Sequence, residues 1–284
     1  MRGNVALLLV CVSIAGAAAQ TQRNQLEGEG ESHLTEERPA PSDEEQTRTL
    51  ERARETALQY TATLPNFLCT ETVHRYTAKK GSANWEVRDT LGLDLAYSGK
   101  KEDYKLVTVD GKPTSKTLQQ VGGFTSNGEF ATLLEWIFRA KSETRFHWER
   151  WCLLRGRPAQ VFSYHIEKDH SKYSLNFNGP LFKHYRLTAA FGGLVYLDGD
   201  TGQVVRITHA PDGIPGDWPV VGTPAALDYG TAEIGGEKYL LPARAETLVL
   251  LRDGSRRRNM TEFGNYRKFS SETTLTFEKP HEKQ

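Results

Sequence analysis

The sequence predicts an α+β fold: a strongly curved antiparallel β-sheet, an open or half barrel, with an N-terminal helix and one inserted helix. Three observations predict it. Apolar and polar residues alternate with a period of two over most of the chain, the pattern of strands with one wet face. Asp110-Gly111, Asp198-Gly199, Gly235-Gly236 and Asp253-Gly254 separate successive runs, as hairpin turns do. Helical spacing occurs in only two places, so helices and strands do not alternate as a parallel α/β fold requires.

Taken in order, the chain opens with an export signal over residues 1–19. Arg2 gives the positive start, residues 5–15 the apolar stretch, and Ala17-Ala18-Ala19 the small-residue cleavage site before Gln20. The apolar stretch is well short of the roughly 20 residues a spanning helix needs, so no transmembrane segment is expected. Cys11 lies inside that stretch after Leu8-Leu9-Val10, which fits a lipid-modified cysteine poorly. An exported protein, periplasmic or secreted, is expected. Residues 20–41 are acidic and Gly-rich, with little apolar surface to offset ordering, and are expected to form a leader without structure. A single domain is expected over residues 42–278, followed by a flexible tail, 279–284.

The first helix begins at Ser42, where Glu45 completes a capping box. Leu50, Ala53, Ala57, Tyr60 and Leu64 then recur at helical spacing until Pro65 ends the run. Beyond Pro65 the period becomes two. The clearest strand reads Trp85, Val87, Asp89, Leu91, Leu93, Leu95 and Tyr97 on one face. Further strands are expected at 67–76, 103–109, 144–153, 160–167, 172–177, 193–198, 203–208, 225–233, 238–250, 257–266 and 271–277. The inserted helix is capped by Ser126 with Glu129 and carries an apolar stripe of Phe130, Leu133, Leu134, Ile137 and Phe138.

Lys and Arg total 36 against 36 Asp and Glu, and this balance argues against a nucleic-acid binder working by phosphate neutralisation. Removal of the signal leaves Cys69 and Cys152. In an oxidising compartment these most simply form one disulfide; two buried free thiols are the alternative. No metal or cofactor is expected.

The hairpin of residues 194–207, with Asp198-Gly199-Asp200-Thr201-Gly202 at its turn, resembles one common among LolA/LolB-like periplasmic carriers of lipid and lipoprotein, a superfamily that includes sensor domains of the RseB type. The order of elements is similar to theirs. The resemblance implies a half-open barrel lined by apolar side chains, closed by helices, with lipid or a lipoprotein acyl chain as ligand and an envelope protein as a further partner. Leu64-Pro65-Asn66-Phe67 and Tyr266-Arg267-Lys268-Phe269 also resemble stretches of uncharacterised secreted bacterial proteins.

The candidate ligand site follows from the apolar faces. Trp85, Leu91, Leu93 and Leu95 on one strand and Phe146 and Trp148 on another line the expected cavity, with Leu134 and Phe138 of the inserted helix as its roof. A filled core has the same pattern. Asp89 and Arg150 interrupt these apolar faces, so either they pair with each other or one meets a polar ligand head. Other clusters have plainer readings. Asp198 to Gly202 is a hairpin turn, because Val204, Val205 and Ile207 stand where a calcium loop needs oxygen ligands. His165, Glu167, Asp169 and His170 mark a strand end, and Arg256-Arg257-Arg258 a solvated hairpin tip. No nucleophile elbow is present, because Gly123 to Gly128 has the wrong spacing. The expected function is a non-enzymatic exported protein holding an apolar ligand. The alternatives are an interaction module with a filled core and a hydrolase whose carboxylates are not identifiable.

Overall fold

The computed structural model describes residues 26, 28–34, 38–124, 129–178 and 184–269. The export signal, Ser126, the strand expected at 271–277 and the tail lie outside the described residues.

The chain runs β1 (Glu31–Ser32), α1 (Asp43–Thr63), β2 (Phe67–Ala78), β3 (Glu86–Ser98), β4 (Lys101–Val109), β5 (Lys112–Pro113), α2 (Leu118–Val121) and α3 (Thr132–Phe138). Then follow β6 (Arg145–Leu154), β7 (Arg157–Ile166), β8 (Ser174–Asn178), β9 (His184–Thr188), β10 (Ala190–Asp198) and β11 (Val204–Asp212). The described part closes with β12 (Val220–Gly222), β13 (Ala225–Ile234), β14 (Glu237–Leu251) and β15 (Arg256–Lys268). One sheet orders them β1-β6-β7-β10-β11-β13-β14-β15-β2-β3-β4-β5, with β12 beside β14; β8 and β9 form a separate pair. Every pairing is antiparallel, and the large sheet is curved without closing into a barrel. The fold is α+β.

Local sequence explains the elements. The Glu45 backbone donates to Ser42 Oγ at 3.3 Å, and the Ser42 backbone donates to Glu45 Oε2 at 2.8 Å. Such a cap contributes about 1 kcal/mol. α1 buries Ala53, Ala57 and Thr61, small residues that let its axis lie close to the sheet. In β10 and β11 a Cβ on Gly193 would stand 2.0 Å from the Thr208 carbonyl oxygen, so only glycine permits that approach.

The two faces of the sheet are covered differently. Under the helices, Ala53, Ala57, Leu134 and Phe138 meet Phe162, Tyr164, Val195 and Ile207. Farther along the same face, Phe67, Cys69, Leu95 and Tyr97 pack with Phe130, then Val73, Leu91, Leu93 and Leu106 follow. The opposite face carries Cys152, Val161, Leu194 and Tyr196, with Ala226, Leu248 and Leu250 closed over by Leu26.

Several expectations are corrected. Part of the leader is structured: Glu31 pairs with Leu154 and Ser32 with Leu153. The inserted helix begins at Thr132, capped by no side chain, and Phe130 precedes it to join another cluster. Trp85 precedes β3 and packs with Leu248 and Leu250 on the opposite face, with the guanidinium groups of Arg256 and Arg258 at 4.9 and 5.8 Å from its ring centre. The expected disulfide is not formed: Cys69 and Cys152 are free, and the sheet itself separates them, Cys69 being buried on the helix-covered face and Cys152 on the opposite one.

Candidate functional site

The residues expected to line one apolar cavity are packed against one another in four clusters. Leu134, Phe138, Phe146 and Trp148 belong to the first, where the Phe138 and Phe146 rings stack at 5.6 Å. Leu95 belongs to the second, Leu91 and Leu93 to a third, and Trp85 to the one across the sheet. Asp89 and Arg150 do not meet. Asp89 accepts two 2.6 Å bonds from Arg75, its partner across β2 and β3, while Arg150 donates to Glu31 at 2.6 Å. Each charge is matched locally, so neither is left for a ligand head.

A cavity of about 460 Å³ opens elsewhere, between the first turns of α1 and the ends of β6, β7 and β10. Residues 38–41 run across it as a strap. The strap is held by Trp151, whose indole Nε1 donates to the Pro39 carbonyl at 3.1 Å, and by Arg38, whose guanidinium lies 5.3 Å over the Trp151 ring. Gln46 Nε2 adds a 2.9 Å bond to the Pro41 carbonyl. On the helix side stand Glu45, Arg48 and Arg52; on the sheet side Trp151, Gln160 and the 198–202 turn.

The turn is built as its sequence requires. Asp198 Oδ1 accepts from the Thr201 backbone and hydroxyl, both at 2.9 Å, and from the Asp200 backbone at 3.2 Å. Burial raises the Asp198 pKa, but these bonds outweigh it and hold the carboxyl below its usual range, and Arg157 adds an ion pair at 2.8 Å. Gly202, at φ +71°, ends the turn, and the Arg52 stem crosses it so closely that a Cβ there would sit 2.9 Å from Arg52 Cδ.

Gln160 is the unusual member. It sits in the register of Phe162, Tyr164 and Ile166, and it is 8% exposed. Its Oε1 is buried without a hydrogen-bond partner. An orphaned buried amide oxygen costs about 1–3 kcal/mol relative to a satisfied one. That cost is removed when a donor reaches the oxygen.

A second group of polar side chains lies within the helix-covered face, enclosed by packing. Tyr104 donates to Glu102 at 2.6 Å and reaches Glu129 at 3.5 Å. Burial, and then the charges of Glu129 and Glu102, push Glu71 up to about 8, so its carboxyl is protonated at neutral pH. The hydroxyls of Tyr60 and Tyr97 and Glu71 Oε2 are buried without partners. Burial also pushes His209 down to about 4. Among the described residues, no three His, Cys, Asp or Glu side chains are grouped to hold a metal ion. His165 faces Asp212 at 3.5 Å and His170 faces Glu143 at 3.5 Å, so the strand-end histidines belong to separate contacts.

Sequence reasoning did not single out Arg38, Arg52, Trp151 or Gln160. One signal was present: Gln160 is a polar residue in an otherwise apolar strand register.

No helix among the described residues is long and apolar enough to cross a membrane. No protein-family model and no curated protein matches the chain. A crystal structure of a DUF1329 family protein from Desulfovibrio piger is similar to this chain at 10% identity and a TM-score of 0.34, with 78% of this chain and 94% of that chain covered.

Proposed function

We propose that the protein is a non-enzymatic, exported binding module that takes its ligand in the strap cavity and keeps the helix-covered face as a filled core. Gln160, which lines a cavity of about 460 Å³ and whose buried Oε1 has no donor, carries this reading. The volume falls within the range of small-molecule sites. The lining sets Arg38, Arg48, Arg52, Glu45 and Gln160 beside Pro39, Ala40, Pro41 and Trp151, a mixed wall that suits a small ligand with polar groups. The export assignment rests on residues 1–19.

Trp151 and Trp148 give the test, since one lines the cavity and the other the core. The indole N–H resonances of the full chain are followed while a small-molecule extract of cells is added. A shift at Trp151 with Trp148 unmoved is the expected result. Co-purified phospholipid with a shift at Trp148 would restore acyl-chain carriage and overturn the proposal.

A further inference from the structure

We propose that the strap cavity is a site for a small hydroxylated phosphate ester, with the phosphoryl oxygens on Arg38 and Arg52 and a neighbouring hydroxyl on Gln160. The proposal rests on the strap cavity being the binding site and names the ligand class it would take.

The charges around the cavity decide the class. Of its two carboxylates, Asp198 is matched by Arg157 and by the turn's own donors, while Glu45 is held by the Ser42 cap and keeps its charge. Arg48 is paired with Glu44 at 2.8 Å. Arg38 and Arg52 line the same space with no carboxylate at ion-pair distance among the described residues. Two guanidinium forks without a carboxylate partner among the described residues suit an anion with several acceptor oxygens, and a phosphate monoester presents three, with a charge of about −1.5 to −2 at neutral pH. A cation would face those arginines unscreened.

Gln160 sets the second requirement. Its free Oε1 needs a donor, which a bare oxyanion lacks. A hydroxyl, being donor and acceptor, satisfies the amide in either of its orientations. Arg52 lines the cavity, and its stem lies across Gly202. Arg38 is placed by the Trp151 ring.

The same chemistry is found in free polyol or sugar phosphates and in phosphoglycerol lipid headgroups, so the test separates them. Calorimetric titration of the full chain uses glycerol 3-phosphate, methyl phosphate, glycerol, and vesicles of phosphatidylglycerol or phosphatidylcholine. Saturable binding of glycerol 3-phosphate is expected, weakening with salt, with no binding of glycerol. Binding of phosphatidylglycerol vesicles but not phosphatidylcholine, competed by glycerol 3-phosphate, would assign the headgroup source; binding of the free ester alone would assign the soluble one.

Arg52→Gln should weaken glycerol 3-phosphate at least about tenfold, the loss expected for one charge-assisted contact. Gln160→Leu should weaken glycerol 3-phosphate about tenfold and leave methyl phosphate, which has no hydroxyl, unchanged. Both variants are checked for an unaltered melting temperature, and Arg52, being exposed, can be replaced without emptying the core. If both variants bind like the parent chain, the assignment is wrong. If glycerol or an organic cation shifts Trp151 and the esters do not, the ligand class falls while the cavity remains the binding site. If no probe or extract component moves Trp151, both proposals fall.

Discussion

On the face opposite the helices, Arg206, 0% exposed, bonds both oxygens of Asp228 at 2.7 and 2.9 Å, and Arg155 adds a contact at 2.6 Å. Under the helices, Glu71 has no such partner among the described residues and is neutral instead, pushed up to about 8, while burial keeps His209 neutral by pushing it down to about 4. The comparison teaches that one sheet handles buried ionisable groups in two ways. Where the N-terminal segment crosses the sheet, charge is retained and paired, and Arg206 also donates to the Leu26 carbonyl at 2.6 Å. Where the helices cover it, Glu71 and His209 are neutral, although Arg75 and Asp89 are paired there at 2.6 Å. Pairing makes a region sensitive to substitution; neutralisation makes it sensitive to pH.

The largest expected effect tests the paired face. Asp228→Ala leaves Arg206 buried without its carboxylate and should cost about 3–5 kcal/mol, read from the urea midpoint. Replacing both partners together, Arg206→Met with Asp228→Leu, should recover much of that loss. A double variant as unstable as the single one would break the comparison.

The neutral face should respond to pH at both ends. Glu71 has a folded pKa above its ordinary 4.5, so the folded state holds the proton longer than the unfolded state. Stability should therefore fall as pH rises from about 4.5 to about 8, by at most about 1.4 kcal/mol per unit. Glu71→Gln should flatten that limb in a series of thermal melts; a limb that persists assigns it to another group. His209 works in the opposite sense. Its folded pKa is depressed from 6.5 to about 4, so stability is lost as pH falls through that interval. His209→Phe should remove this acid limb and leave the alkaline one intact.

The smallest effect belongs to the cavity's edge. Gly202→Ala forces a side chain into φ +71° and against Arg52, and should cost about 1 kcal/mol in the thermal midpoint. Because it displaces the Arg52 stem, it should also weaken glycerol 3-phosphate. A variant that loses stability alone would separate the turn from the site.

Much of the fold was legible because period-two alternation is a local signal. The strand expected at 67–76 is Phe67–Ala78, and the helix begins at the Ser42 box. The facing of β6 was not legible. A bulge between Trp148 and Arg150 inserts one residue, which turns Arg150 to the Glu31 side and Trp151 to the cavity. Alternation counted through that point assigns both residues to the wrong face. Asp89 was rightly singled out as a carboxylate needing a partner, but that partner, Arg75, is set by the β2–β3 register. Alternation also shows that positions are apolar without showing which of them touch. This is why Leu91, Leu95 and Phe138 look like one lining and occupy three packed groups.

The two free cysteines have a consequence for how the chain is made. Burial raises the Cys69 pKa and lifts Cys152 to about 11, so at neutral pH almost neither thiol is in the form that attacks disulfides or is oxidised. The fold carries no cross-link between them to be formed, shuffled or reduced. Its maturation should need no thiol oxidase or isomerase, and its melting temperature should be the same with or without dithiothreitol.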